Sequence, residues 1–81
     1  MAEKSYKDAK STFQELVQEN SKAPPLYMVV LEEGPDHAKK FTVAVSVNGS
    51  SWGQGSGRSK QEAEQQAASS ALEKWHEKNK T

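Results

Sequence analysis

The feature that most constrains the fold is a strict alternation of residue types from Phe41 to Val47. Every second residue of this stretch is apolar, and the residues between them are small or polar. A period of two is typical of an antiparallel strand with one face buried and the other exposed. Asn48-Gly49 follows at once, and this pair suits a two-residue hairpin turn. The sequence therefore predicts a hairpin whose second strand runs from Ser50 to about Gln54, with Trp52 packed on it.

Two further elements are predicted upstream of this hairpin. Apolar residues within 7–20 recur at helical spacing, which predicts an amphipathic helix with one apolar stripe. That stripe comprises Ala9, Phe13, Leu16 and Val17. The pair Pro24-Pro25 disfavours helix at and before itself, so we expect the helix to end near Asn20-Ser21. Residues Leu26 to Leu31 then favour a strand, which Gly34-Pro35-Asp36 ends.

A second helix is predicted after the glycine-rich segment 53–57. The glycines there either form a turn or allow another backbone to approach closely. Ser59 and Glu62 form an S-x-x-E capping box at the start of the helix. Its inward stripe is built mostly from small residues, which implies that the helix lies close to the sheet. The stripe comprises Ala63, Ala67, Ala68, Ala71, Leu72 and Trp75.

These elements predict an α+β fold in the order α-β-β-β-α, a three-stranded antiparallel sheet with two helices packed on one face. A chain of 81 residues has room for one small domain with a modest core. We place this domain at residues 6–76, with flexible tails at 1–5 and 77–81.

Composition excludes several classes of protein. The chain has no cysteine, so disulfides and thiolate-zinc sites are excluded, and we expect a cytoplasmic protein. Its apolar runs are much shorter than a membrane span, and its first ten residues lack the apolar centre of a signal peptide. Asp36 and His37 are adjacent rather than helically spaced, and no second histidine-rich segment could complete a metal site. We therefore expect no membrane, metal, cofactor or small-molecule ligand.

Charge is balanced overall but unevenly distributed. The chain has 11 basic and 11 acidic residues, and this net charge of zero argues against a nucleic-acid partner when taken alone. The segment from His37 to Gln61, however, contains cations and no acid. These cations are Lys39, Lys40, Arg58 and Lys60. Such a segment is either an ordinary solvated face or a basic binding surface.

Arg58-Ser59-Lys60 lies at the start of the second predicted helix. Unpaired backbone N–H groups and the helix dipole favour an anion there, so two added cations indicate a phosphate site. An ordinary capped helix with exposed basic residues has the same pattern. A nucleotide site is disfavoured, because Gly53, Gly55 and Gly57 give G-x-G-x-G, which has neither the dinucleotide nor the P-loop spacing.

Several segments spread over nearly the whole chain form a joint pattern. They are Phe13-Gln14-Glu15-Leu16, Pro25 with Tyr27, Gly34-Pro35-Asp36-His37, Phe41-Thr42-Val43, and Gly55 to Glu64 with Ala67-Ala68. In this order they resemble the double-stranded-RNA-binding domain, and within that family the copy at the C-terminus of bacterial ribonuclease III.

The resemblance implies that three regions bind double-stranded RNA. An A-form duplex offers two minor grooves and the intervening phosphates within about 16 base pairs. The polar face of the first helix would meet 2′-hydroxyls and base edges, and His37 would reach the second minor groove. Arg58, Ser59 and Lys60 would contact the phosphates between them. The polar helix face comprises Ser11, Gln14, Glu15 and Gln18.

One departure from the family pattern leaves an alternative open. Many members carry Lys-Lys-x-Ala-Lys at the second helix, where this chain has Lys60-Gln61-Glu62-Ala63-Glu64. A glutamate at the last position resembles the ribonuclease III branch. The loss of two lysines fits a protein-interaction or dimerisation module of the same fold, although the retained Glu15, His37 and Lys60 argue against it.

The chain itself is not expected to be an enzyme. The acid-rich metal-binding segment of a ribonuclease III catalytic domain is absent from these residues. By the same resemblance, the parent protein would carry that catalytic domain.

Overall fold

The computed structural model describes residues 9–20 and 23–78. Its elements are α1 (Ala9–Asn20), β1 (Leu26–Glu33), β2 (Lys40–Val47), β3 (Ser50–Gly57) and α2 (Lys60–Lys78), with a short 3-10 turn at Asp36–Ala38. The strands form one antiparallel sheet in the order β1-β2-β3, which confirms the predicted α+β fold.

The chain ends fall only partly within this description. Residues 7 and 8 of the first predicted helix, and residues 1–5 of the expected N-terminal tail, lie outside the described residues. At the other end α2 continues through Lys78, so the first two residues of the expected C-terminal tail are helical. Residues 79–81 again lie outside the described residues.

The hydrophobic core lies between the sheet and the two helices. Its largest fully buried side chains come from α1 and β2, and alanines of α2 complete it. The four large side chains are Phe13, Val17, Val43 and Val45. The alternating face of β2 is therefore the inner face of the sheet, as its period of two predicts. Asn48 and Gly49 connect β2 to β3 with positive φ angles of 56° and 84°, as a two-residue hairpin turn requires.

β3 is longer than the sequence predicts, because it runs through the glycine-rich segment to Gly57 instead of ending near Gln54. A Cβ on Gly55 would lie 2.2 Å from the backbone nitrogen of Ala67, and one on Gly53 would lie 2.7 Å from that of Ala71. Side chains at these positions would therefore collide with α2. Of the two interpretations of this segment, the turn was wrong, and the glycines instead let the backbone of α2 lie close to β3.

β1 is an edge strand, and helices cover only one of its faces. Tyr27 and Val29 pair with the inner-face residues Val45 and Val43 of β2. On the opposite face Leu26 is 62% exposed, and Met28 is 59% exposed. The register shifts between Val29 and Leu31, which makes Val30 a bulge in this strand.

Candidate nucleic-acid interface

The register of the sheet brings two of the predicted regions to one end of the molecule. β2 runs antiparallel to both neighbours, so its first residues lie beside the last residues of β1 and β3. Lys40 pairs with Glu33, and Phe41 pairs with Gly57. The turn carrying His37 leads into β2, and Arg58 directly follows β3. His37 and Arg58 consequently line the same surface cavity, which has a volume of about 610 Å³ and so falls within the range of small-ligand clefts.

Basic side chains dominate the charge of this cavity. Lys39 and Lys40 line it together with His37 and Arg58, and Asp36 supplies the acid. The Lys39 Nζ atom lies 3.6 Å from Glu32 Oε1, so part of its charge is compensated. The sequence-based site omitted both lysines. They belong to the acid-free segment, and that segment is the signal that could have assigned them to this surface.

The backbone fixes the turn that carries His37. The Ala38 N–H donates a hydrogen bond of 2.9 Å to the Pro35 carbonyl oxygen. Gly34 has a φ of +97°, and a Cβ there would lie 2.5 Å from the Ala38 carbonyl oxygen. Glycine is therefore required at this position. The His37 side chain is exposed, so a tightly closed turn presents the imidazole to solvent beside the cavity.

A modified capping box begins α2. The Glu62 N–H donates to Ser59 Oγ at 3.1 Å, whereas the Glu62 carboxylate accepts from the Arg58 N–H at 2.8 Å rather than from Ser59. Two N–H groups at this helix start are thus satisfied within the chain, and side chains must carry most of any anion binding. The Arg58, Ser59 and Lys60 side chains are all exposed. The Ser59 hydroxyl accepts in the cap, so its own hydrogen can still be donated.

The polar face of α1 forms a second surface. Its predicted residues are all exposed and lie off the buried stripe of Ala9, Phe13 and Val17. These predicted residues are Ser11, Gln14, Glu15 and Gln18. None of them lines the cavity at His37. The structure therefore groups His37 with Arg58, next to Ser59 and Lys60 in the chain, and leaves the α1 residues on a separate helix face.

The described part of the chain contains neither a metal site nor a membrane-spanning helix. Within residues 9–20 and 23–78, no three or more histidine, aspartate or glutamate side chains are grouped so that they could hold a metal ion. Over the same residues, neither helix combines the length and apolar character needed to cross a membrane.

The fold and these two surfaces define a small α-β-β-β-α binding domain with an exposed polar helix and a basic cavity. Residues 9–75 match the family model described as the double-stranded RNA binding motif. The chain therefore belongs to the double-stranded RNA binding motif family, which confirms the resemblance found in the sequence.

Individual relatives and solved structures agree with this membership. Ribonuclease 3 of Bdellovibrio bacteriovorus is 53% identical over 74 residues, which cover 90% of this chain and 32% of the relative. Ribonuclease 3 of Streptococcus gordonii is 55% identical over 67 residues, covering 83% of this chain and 29% of the relative. This chain thus spans about a third of their length.

Two solved structures have the same fold. Dicer from Pichia stipitis superposes with a TM-score of 0.69 at 33% identity, over 83% of this chain and 32% of that chain. The first dsRBD of protein HYL1 superposes with a TM-score of 0.66 at 32% identity, over 82% of this chain and 93% of that one.

Proposed function

We propose that this chain binds double-stranded RNA by recognising the shape and backbone of the A-form duplex, as the RNA-binding module of a ribonuclease III. The observation that carries the proposal is the basic cavity that joins His37 to Arg58 at one end of the sheet. Family membership gives the partner class, and the cavity gives a place where a phosphate backbone could lie.

The phosphates would be bound beside α2. Arg58 and Lys60 supply exposed cations, Lys40 adds a third, and the Ser59 hydroxyl can donate a hydrogen bond. These contacts follow the backbone and carry no sequence information, so little sequence preference is expected. His37 would enter the minor groove next to these phosphates, where its imidazole can donate to or accept from a 2′-hydroxyl.

The exposed face of α1 would supply selectivity for RNA over DNA. Gln14 and Gln18 can donate and accept hydrogen bonds at base edges and 2′-hydroxyls, and Ser11 can do the same. Glu15 can only accept when ionised, and a 2′-hydroxyl is a donor that DNA lacks. Affinity and RNA selectivity would therefore depend on different elements.

The parent protein would be a cytoplasmic endoribonuclease. The two relatives of this chain described above carry the name ribonuclease 3, and this chain spans about a third of the length of each. We assign RNA recognition to the present residues and cleavage to a catalytic domain elsewhere in the parent. Purified chain incubated with labelled duplex RNA and Mg²⁺ is accordingly expected to leave the RNA intact.

Titration of the chain with duplex RNA, duplex DNA and single-stranded RNA of matched sequence tests this function. At one fixed salt concentration we expect the tightest binding to duplex RNA. Equal affinity for the two duplexes would contradict recognition of the A-form, and tighter binding of the single strand would contradict duplex recognition altogether.

A protein-interaction module of the same fold is the second candidate. It is favoured by the exposed apolar side chains of β1, where Leu26 and Met28 lie on the face that no helix covers. Sedimentation of the chain, first alone and then with duplex RNA, separates the two candidates. A monomer that binds duplex RNA supports the first, and a dimer that does not bind RNA supports the second.

A further inference from the structure

One ion pair connects the two helices on which the proposed RNA contacts lie. The Lys10 Nζ atom of α1 lies 2.5 Å from Glu64 Oε1 of α2, and the two side chains are 37% and 25% exposed. The same Nζ atom lies 5.2 Å from the centroid of the Tyr27 ring on β1. Lys10 therefore contacts both α2 and the sheet. Because the pair is partly buried, salt screens it less than a fully exposed pair.

α1 packs on α2 as well as on the core, and its backbone lies close to that of α2 at more positions than to that of any strand. Two contacts hold α1 at separate points. The Phe13 ring meets the Trp75 ring edge-on at a centroid distance of 5.9 Å, and Lys10 meets Glu64. Glu64 and Trp75 are about 16 Å apart along α2 at 1.5 Å per residue. On α1 the same two contacts are made by Lys10 and Phe13, about 4.5 Å apart along that helix, so side chains one turn apart on α1 meet well-separated points on α2 and constrain how the two helices cross.

Glu64 also occupies a position where a carboxylate would oppose a polyanion. It lies about 6 Å along α2 from Lys60, which we assign to the phosphates. Pairing with Lys10 neutralises this charge locally. The pair therefore orients α1 on α2 without adding net charge to the interface. On α1, Ser11 follows Lys10 directly, and Gln14 is one turn away on the same side. A fixed position of Lys10 therefore also fixes the positions of Ser11 and Gln14, which we assign to the minor groove.

We propose that Lys10 and Glu64 are positioning residues, which orient α1 on α2 so that its polar face and the basic start of α2 meet one RNA duplex together. This inference rests on the proposed function and adds the contact that sets its geometry. It predicts that breaking the pair lowers the preference for RNA over DNA, even when the change makes the chain more positive.

Charge reversal provides the test. Glu64→Lys places two lysines together, and we expect the ratio of RNA affinity to DNA affinity to fall about three- to tenfold. Lys10→Glu should also lower this ratio. The double variant Lys10→Glu/Glu64→Lys restores an ion pair at the original net charge, and the ratio should return to within about twofold of the starting chain.

Glu73→Lys is the matched control, because it makes the same change of charge at an exposed position of α2 away from Lys10. It should strengthen binding to both duplexes similarly. If Glu64→Lys behaves like Glu73→Lys, or if the double variant fails to recover the ratio, the positioning role is refuted while duplex RNA binding by the starting chain stands. A starting chain without RNA preference would instead refute the proposed function.

Two additional variants separate positioning from stability. Lys10→Met keeps an apolar stem over Tyr27 and removes only the charge, so it serves if a reversed charge prevents folding. A lowered ratio with an unchanged circular dichroism spectrum supports the inference, and an unchanged ratio overturns it. Gln14→Ala should lower the ratio less in the Lys10→Met chain than in the starting chain, whereas equal effects would show that Lys10 does not act through α1.

Discussion

The direction in which Glu15→Ala changes RNA affinity shows whether Glu15 contacts RNA or is only a solvated surface residue. If it accepts from a 2′-hydroxyl, Glu15→Ala should weaken RNA binding by on the order of 1.5–3 kcal/mol and narrow the preference over DNA. If it is only surface near a polyanion, removing its negative charge should tighten binding to both duplexes. Glu19→Ala is the matched control, because Glu19 is an exposed acid of the same helix outside the proposed site. Tighter RNA binding by Glu15→Ala would contradict the role of α1.

Lys60 and Arg58 are expected to act through charge alone. Lys60→Ala should weaken binding to every duplex sequence and reduce the slope of log affinity against log salt by about 1. Arg58→Ala should act in the same direction with a smaller effect. Lys74→Ala removes an exposed cation of α2 outside this site and should leave the slope unchanged. An unaltered slope in a folded Lys60→Ala/Arg58→Ala chain would favour the protein-interaction candidate.

Tyr27 couples stability to pH. Burial, and secondly the Glu64 charge, raises the pKa of Tyr27 to about 12, and its hydroxyl has no hydrogen-bond partner among the described residues. An unfolded tyrosine ionises near a pKa of about 10. Between these values the unfolded chain loses a proton that the folded chain retains, so stability is present below pH about 10 and falls as pH rises toward 12.

Urea unfolding of the starting chain and of Tyr27→Phe over this pH window measures that contribution. The variant should lose less stability as pH rises, and at neutral pH it should be no less stable, because it removes a buried hydroxyl without a partner. The two chains differ only in the Tyr27 hydroxyl, so the difference between their pH profiles measures the contribution of that group. Parallel losses of stability in the two chains would contradict this interpretation.

The contact between β3 and α2 depends on glycine. Gly55→Ala would place a Cβ 2.2 Å from the Ala67 backbone nitrogen, and backbone cannot rotate away as a side chain can. We expect a loss of about 1–3 kcal/mol in the free energy of unfolding. Ser56→Ala, at an exposed neighbour in the same strand, should change stability by less than about 0.5 kcal/mol. Equal stability of the two variants would show that α2 does not lie so close to the sheet.

The elements differ in how far the sequence predicts them. β2, its hairpin turn and α2 follow from local signals, namely a period of two, Asn48-Gly49 and the Ser59–Glu62 cap. The length of β3 could not be predicted in this way. Glycine disfavours strands, and the segment is a strand only because it packs closely against α2. The exposure of one face of β1 could not be predicted either. An apolar run has the same sequence pattern whether both faces of the strand are covered or only one.

The sequence predicted the individual residues of the candidate site but did not predict which of them the fold groups together. The resemblance named His37 and Arg58, but only the register of three strands brings them to one cavity. Lys39 and Lys40 join them for the same reason. The pairing of Lys10 with Glu64 joins residues far apart in sequence, and no local pattern indicates which lysine an acid on α2 will meet.

In the proposed complex, one folded domain contacts two minor grooves and the phosphates between them at the same time. Affinity for blunt RNA duplexes of increasing length, corrected for the number of binding positions, measures whether both grooves are contacted. We predict that affinity rises steeply up to about 16 base pairs, where the second minor groove becomes available, and then stays level. Duplexes of about 8 base pairs that bind as tightly as those of about 20, after the same correction, would contradict it.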